Sequence, residues 1–209
     1  MASIITHICI SNIVKEELGM SDKFLVGSVL PDLKKLAGMD RDLTHYLRYS
    51  VEENGNVMHL PDLDKYLSEN TFKLLDFKTL GYYAHLIEDK IWFEKFISKY
   101  IKWHDEDLGL VTDLKTGKTY EYSLFKSQIH SDYANIKDVV IKKYNMNMEK
   151  IMSQIDENLQ DKDLMEYLKK ELNDNEKISD KRYFLTNEDL EEYVTMSTKE
   201  VIKRINELR

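Results

Sequence analysis

Only one cysteine, Cys9, occurs in the 209 residues, so no internal disulfide can form, which fits a reducing compartment. Proline is nearly as scarce, at two positions, and glycine occurs seven times; with so few breakers, long segments are free to run as helix. No apolar run approaches the ~20 residues needed to cross a bilayer. The start, MASIITHICISNIVKEEL, has no basic leader followed by an apolar stretch and a small-residue cleavage site. A cytoplasmic location is therefore expected. Cations are in deficit as well. The formal net charge of -8 argues against a broad grip on nucleic acid or anionic lipid, because that grip needs clustered Lys and Arg. The short basic stretch KDVVIKKYN at 137–145 has acidic neighbours and suits a solvated helix face.

What is present describes a globular chain, 42% hydrophobic and 33% charged, long enough to fill one core. No linker rich in Pro, Gly or Ser divides it and no repeat of fixed period recurs, so a single domain is expected. Apolar spacing predicts an all-α fold with helices near 4–18, 22–30, 41–50, 61–69, 78–103, 121–144, 147–158, 161–173 and 187–208. Gly19 should close the first of these. Ser21 or Asp22 suits the cap of the second, Pro61 a first-turn position, and Thr186 or Asn187 the last cap. The segment GLVTDLKTGKTYEYS at 109–123 resists helix, and its β-branched residues around Thr-Gly-Lys predict a small hairpin. From residue 146 the chain carries no histidine and reads as helical scaffold, so imidazole chemistry must come from the first 130 residues.

Within that portion, GYYAHLIEDKIWF at 81–93 sets His85 and Asp89 four residues apart on one apolar helix face. An isolated buried carboxylate needs a cation, several hydrogen bonds or a metal ion. A satisfied His–Asp hydrogen-bonded pair is one answer and a metal site the other. FLVGSVLPDLKK at 24–35 ends an apolar run in Pro31 and Asp32, with Gly27 allowing another backbone to approach; IITHICISNIV holds His7, and LTHYLRY holds His45. Each histidine alone fits a buried structural role. Three imidazoles and two carboxylates, all in apolar helical contexts, point instead to a shared metal.

These stretches resemble the zinc-dependent phospholipase C family, related in fold to the S1/P1 nucleases. The resemblance covers about the first 100 residues in matching order: the early Thr-His, the Gly-x-x-x-Pro-Asp of GSVLPD, the Thr-His-Tyr, and the Gly-Tyr-x-x-His-x-x-x-Asp of GYYAHLIED. It implies a multi-helix bundle of that type. It also implies that Asp32, His45, His85 and Asp89 bind one metal, and that His7 and Asp89 help bind a second, with Asp89 bridging. Independently of the family, five protein ligands exceed what one tetrahedral catalytic zinc holding a water accepts, whereas a bridging carboxylate allows two ions. The donors suit zinc, with iron or manganese as alternatives. The chain departs from the family in lacking its amino-terminal tryptophan ligand and its later His-x-x-x-Glu pair. Lys95 stands about where a further ligand is expected. His130, with Asp132 two residues on, is the candidate replacement.

The expectation is thus a metal-dependent hydrolase of a phosphoester, either a lipid head group or a soluble molecule, with Asp32 as the candidate general base. A non-catalytic protein stapled by a metal or a His/Asp cluster, with its carboxy-terminal half serving a partner, is the alternative. His104 and Asp105 form a dyad of the kind found in HD-type phosphohydrolases, a third reading. His59 suits a cap or packing role, and Cys9 a small buried hydrophobe.

Overall fold

The computed structural model describes residues 2–51, 55–73, 76–104, 109–173, 180 and 182–209. It is mostly helical, with two small antiparallel sheets. Helix α1 (Ile4–Leu18) is buried on every side over Ile4–Ser11, as befits a central helix. Gly19 ends it in the left-handed region at φ 62°, a conformation open to glycine at little cost.

Helix α2 (Lys23–Leu36) runs on through Pro31, beyond the expected stop at residue 30. Pro31 withdraws only the N–H that the Gly27 carbonyl would accept, and burial of Val29, Leu30 and Leu33 holds the helix together across it. It crosses α5 (Phe77–Ile91) in backbone contact. A methyl group added at Gly27 would lie 2.0 Å from the Lys78 carbonyl oxygen, and one at Gly81 would lie 2.0 Å from that of Phe24. Two glycines therefore set the approach of the helices that carry Asp32, His85 and Asp89.

Two expectations fail between these helices and beyond them. The predicted helix at 41–50 is a short α3 (Arg41–Thr44) followed by strand β1 (Leu47–Val51), paired with β2 (Val57–Pro61) in register Tyr49 to His59. Tyr46, at φ 52°, turns the chain out of helix, and β2 supplies backbone partners that no local pattern announces. Pro61 ends that strand, and Asp62 caps α4 (Leu63–Asn70) instead. The long helix expected at 78–103 stops as α-helix at Ile91; it continues through a π-helical turn, Trp92–Phe96, and a 3-10 turn, Ile97–Lys99, into β3 (Ile101–Trp103). β3 pairs with β4 (Leu110–Asp113), which pairs with β5 (Thr119–Glu121), so the expected hairpin exists as part of a three-stranded sheet.

The remaining helices are α6 (Tyr122–Lys143), α7 (Met148–Leu159), α8 (Lys162–Asn173) and α9 (Asn187–Leu208). Thr186 and Asp189 close a reciprocal capping box on α9. α9 packs Tyr193, Val194, Val201 and Ile205 into the core. The Tyr193 hydroxyl donates to the Glu88 carbonyl at 3.3 Å, so the scaffold half braces α5 at the level of the histidines.

Candidate metal centre

His7 on α1, Asp32 on α2, His45 just after α3, and His85 and Asp89 on α5 converge although they are spread over more than 80 residues. Asp32 and His45 come together with Nε2 of His45 at 3.4 Å from Asp32 Oδ1. Nε2 of His7 lies 3.5 Å from Asp89 Oδ1, and Nε2 of His85 and of His45 lie 3.6 and 3.9 Å from Asp89 Oδ2. These separations are too long for hydrogen bonds and match donors arranged around a common cation. Two overlapping triads, His7–Asp32–His85 and His45–His85–Asp89, each offer one ligand atom per residue within 4.8 Å of one another. His85 belongs to both. The rings of His7 and His85 stack, with centroids 3.9 Å apart.

The opposite edge of each imidazole is engaged, and this fixes the tautomer. Nδ1 of His85 lies 2.7 Å from the Ser28 carbonyl oxygen, which can only accept, so Nδ1 carries the proton. Nδ1 of His7 lies 2.7 Å from Glu88 Oε2 and donates to it. The Thr44 hydroxyl donates to the Arg41 carbonyl at 3.2 Å and so accepts from His45 Nδ1 at 2.9 Å. Each Nε2 edge therefore points inward, together with carboxylate oxygens. All three Nε2 atoms, Asp32 Oδ1 and Asp89 Oδ2 are buried without a hydrogen-bond partner. Two buried carboxylates facing these imidazole edges call for positive charge, which a proton on His7 or a metal ion supplies. Backbone, hydroxyl and carboxylate partners behind the imidazoles are the usual outer supports of metal-binding histidines.

Electrostatics agree. Burial alone would lower the His7 pKa, but Asp89 and Glu88 outweigh it and raise it to about 10, so the cluster attracts positive charge. Burial lowers the His45 pKa, against the pull of Asp32, which keeps that imidazole neutral and able to ligate. Burial would raise the Asp32 carboxyl, yet His45, His85 and Lys35 hold it below the ordinary carboxylate range. Glu88, wholly buried, is pushed up by burial despite His7. Asp89 also accepts from the Ala2 backbone N–H at 3.1 Å.

A cleft of about 420 Å³ reaches this cluster at Asp32 and Ala2. Asp32 keeps 8% of its side-chain surface exposed, whereas the other four residues keep 0 to 1%. The cleft carries Lys35, Arg41, Lys126 and Lys137 around aromatic walls that include Trp92 and Phe125.

Other candidates lie elsewhere. His130 is exposed on α6 and lines the same cleft, but it belongs to neither triad. Asp132, its companion, is buried and accepts the backbone N–H groups of Tyr183, Phe184 and Leu185 at 2.7, 2.8 and 3.0 Å; it anchors the turn into α9 and belongs to neither triad. His104 is exposed at the end of β3 with Nε2 2.5 Å from the Thr112 hydroxyl, and Asp105 lies outside the described residues. His59 packs edge-on to Tyr49. Cys9 is buried, and burial pushes its thiol up to about 12. Lys95 lies in the π-helical turn, outside both triads. Glu88, Ser28 and Thr44 are the site residues that sequence reasoning missed. The signal for Glu88 was an acidic residue beside Asp89 inside an apolar run. Compared with known proteins, the chain matches no family model, no curated protein and no solved structure.

Proposed function

We propose that this chain is a metal-dependent phosphoester hydrolase, with zinc held by His7, Asp32, His45, His85 and Asp89 as one or two ions. Iron and manganese are the other metals this donor set accepts. The bundle type of the phospholipase C family is the fold reading that accompanies it. The single observation that carries the proposal is the convergence of three bare Nε2 atoms and two partnerless carboxylate oxygens, each imidazole already fixed from behind. Bound metal would supply a Lewis acid and lower the pKa of a water.

The chain's own groups divide the remaining work. Asp32 is the residue common to the cluster and the cleft, so its ionised carboxylate is placed to orient the attacking water; its depressed pKa makes it a weak base that takes the proton only in passing to the cleft. Lys35, Arg41, Lys126 and Lys137 offset a phosphoryl group's negative charge in a protein whose net charge is otherwise -8. The aromatic walls exclude water and receive the apolar part of the substrate. Substrate is a phosphoester, soluble or carried on a lipid head group; among the described residues no helix is long and apolar enough to cross a membrane.

Near-complete burial of four of the five donors favours a second reading, in which the metal only staples α1, α2 and α5. Metal analysis of the purified chain, followed by hydrolysis of a generic phosphodiester and a phosphomonoester with and without chelator, separates the two. Turnover that chelator abolishes and Asp32→Asn suppresses supports the enzyme. Bound metal without an open coordination position or any turnover favours the staple, and no bound metal after reconstitution refutes both.

A further inference from the structure

We propose that a second hollow, separate from the cleft above the histidines, binds a small phosphorylated molecule. It encloses about 390 Å³ between the end of α2, the turn into β1, and the start of α5. Three lysines line it, Lys34, Lys73 and Lys78, against one carboxylate, Asp76. That carboxylate is already engaged as the cap of α5, where Oδ2 accepts from the Thr79 backbone and hydroxyl at 3.1 Å each. Among the described residues none of the three lysines forms an ion pair. In a chain with 38 acidic residues, three lysines around one concavity against a single lining carboxylate, with Glu69 at the Tyr46 hydroxyl, leave a net positive wall that suits an anion. The first turn of α5, capped by Asp76, borders the same hollow.

A second, independent feature lies in its wall. Tyr46 holds φ 52°, a strained conformation for a bulky residue that persists only where the surroundings impose it. The Asp62 N–H bonds its carbonyl at 2.8 Å and fixes the turn. The result separates two neighbours in sequence: His45 joins the metal cluster, while the Tyr46 ring meets Tyr66 and Tyr82 at 5.0 and 6.3 Å in the wall of the hollow. Tyr66 and Tyr82 donate their hydroxyls to the carbonyls of Thr79 and Thr44, so their rings present apolar surface. Lys34 Nζ lies 5.3 Å from the Tyr82 ring centroid. Cations beside an aromatic wall suit a phosphate bearing a planar or apolar substituent.

The test titrates inorganic phosphate and phenyl phosphate into the full chain by calorimetry, with and without chelator. Chelator keeps metal-site binding from being mistaken for this one. Both ligands should bind in its presence, phenyl phosphate the tighter, and Lys34→Gln combined with Lys78→Gln should weaken each tenfold or more. Lys73→Gln alone, at an exposed position, should weaken them several-fold. An unchanged or raised melting temperature of these variants shows that they fold. Vesicles containing phosphatidic acid locate the source of the phosphate: lysine-dependent co-sedimentation assigns it to a head group, and its absence with retained phenyl phosphate binding assigns it to a soluble molecule. No binding in chelator, or binding unmoved by the lysine substitutions, overturns the proposal.

Discussion

Replacing Gly81 by alanine separates what helix propensity dictates from what the helix crossing dictates. Alanine in a helix interior is favoured over glycine by about 1 kcal/mol, so a helix considered alone gains. In the folded chain the added methyl lies 2.0 Å from the Phe24 carbonyl oxygen, 2.9 Å from its carbon and 3.0 Å from the Ser28 nitrogen. Those neighbours are backbone and cannot rotate away. To restore even 3.0 Å, a limit that real Cβ contacts respect, α2 and α5 must part by about 1 Å, a displacement well beyond the ~0.2 Å that metal–ligand bonds tolerate. The same movement takes the Ser28 carbonyl, now 2.7 Å from His85 Nδ1, out of hydrogen-bond range.

Overpacking of about 1–3 kcal/mol and a lost buried hydrogen bond of about 1 kcal/mol outweigh the propensity gain. The net destabilisation is then about 1–3 kcal/mol, which at about 2–4 °C per kcal/mol lowers the melting temperature by roughly 2–12 °C. Metal affinity should fall at least tenfold, because Asp32 moves away from His85 and Asp89. Thermal melts of the chelated protein read the first effect, and competition against a chromogenic chelator reads the second. A variant as stable as the parent, with unchanged metal affinity, would refute backbone contact at this crossing.

Asp89→Asn should abolish stoichiometric metal binding and bring the melting temperature of the metal-supplemented protein down to that of the chelated one, because metal binding adds to folding stability; full metal content would remove Asp89 from the site. Glu88→Gln keeps the shape of the group behind His7 but takes away its charge, and should weaken metal binding about 10- to 100-fold while the far-ultraviolet circular dichroism is unchanged; metal affinity within twofold of the parent would assign Glu88 a packing role only. For pH, the His7 pKa in the folded metal-free protein, about 10, lies above its ordinary 6.5. Its contribution to stability is therefore complete below about pH 6.5 and lost as pH rises through 10. Metal displaces that proton, so the melting-temperature gap between loaded and chelated protein should widen from pH 6.5 to 9. Titrations at pH 7.5 in buffers of different ionisation enthalpy should report about one proton released per cluster filled; no release would mean that His7 is not displaced.

Several features were legible in the sequence because their causes are local. Gly19 and Thr186 mark helix ends by backbone freedom and side-chain capping, and the Thr-Gly-Lys turn marks the β4–β5 hairpin. The sheet of β1 and β2 was not legible, since Tyr49 meets His59 through pairing that neither segment encodes alone. Pro31 misled for a related reason: its local cost was visible, while the burial that carries α2 across it was not.

The donor types were likewise open to reading, since imidazoles and carboxylates in apolar helical runs demand compensation wherever they are buried. Sequence alone determined that requirement, together with the helices that carry His7, His85 and Asp89; Asp32 lies past the expected end of its helix and His45 follows a short one. Only tertiary structure decided how it is met. The Gly27–Gly81 crossing sets the distance between α2 and α5, and the acceptors of Ser28, Thr44 and Glu88 choose which nitrogen of each histidine faces inward. Both depend on groups brought together from distant parts of the chain, and a helical period describes one helix at a time.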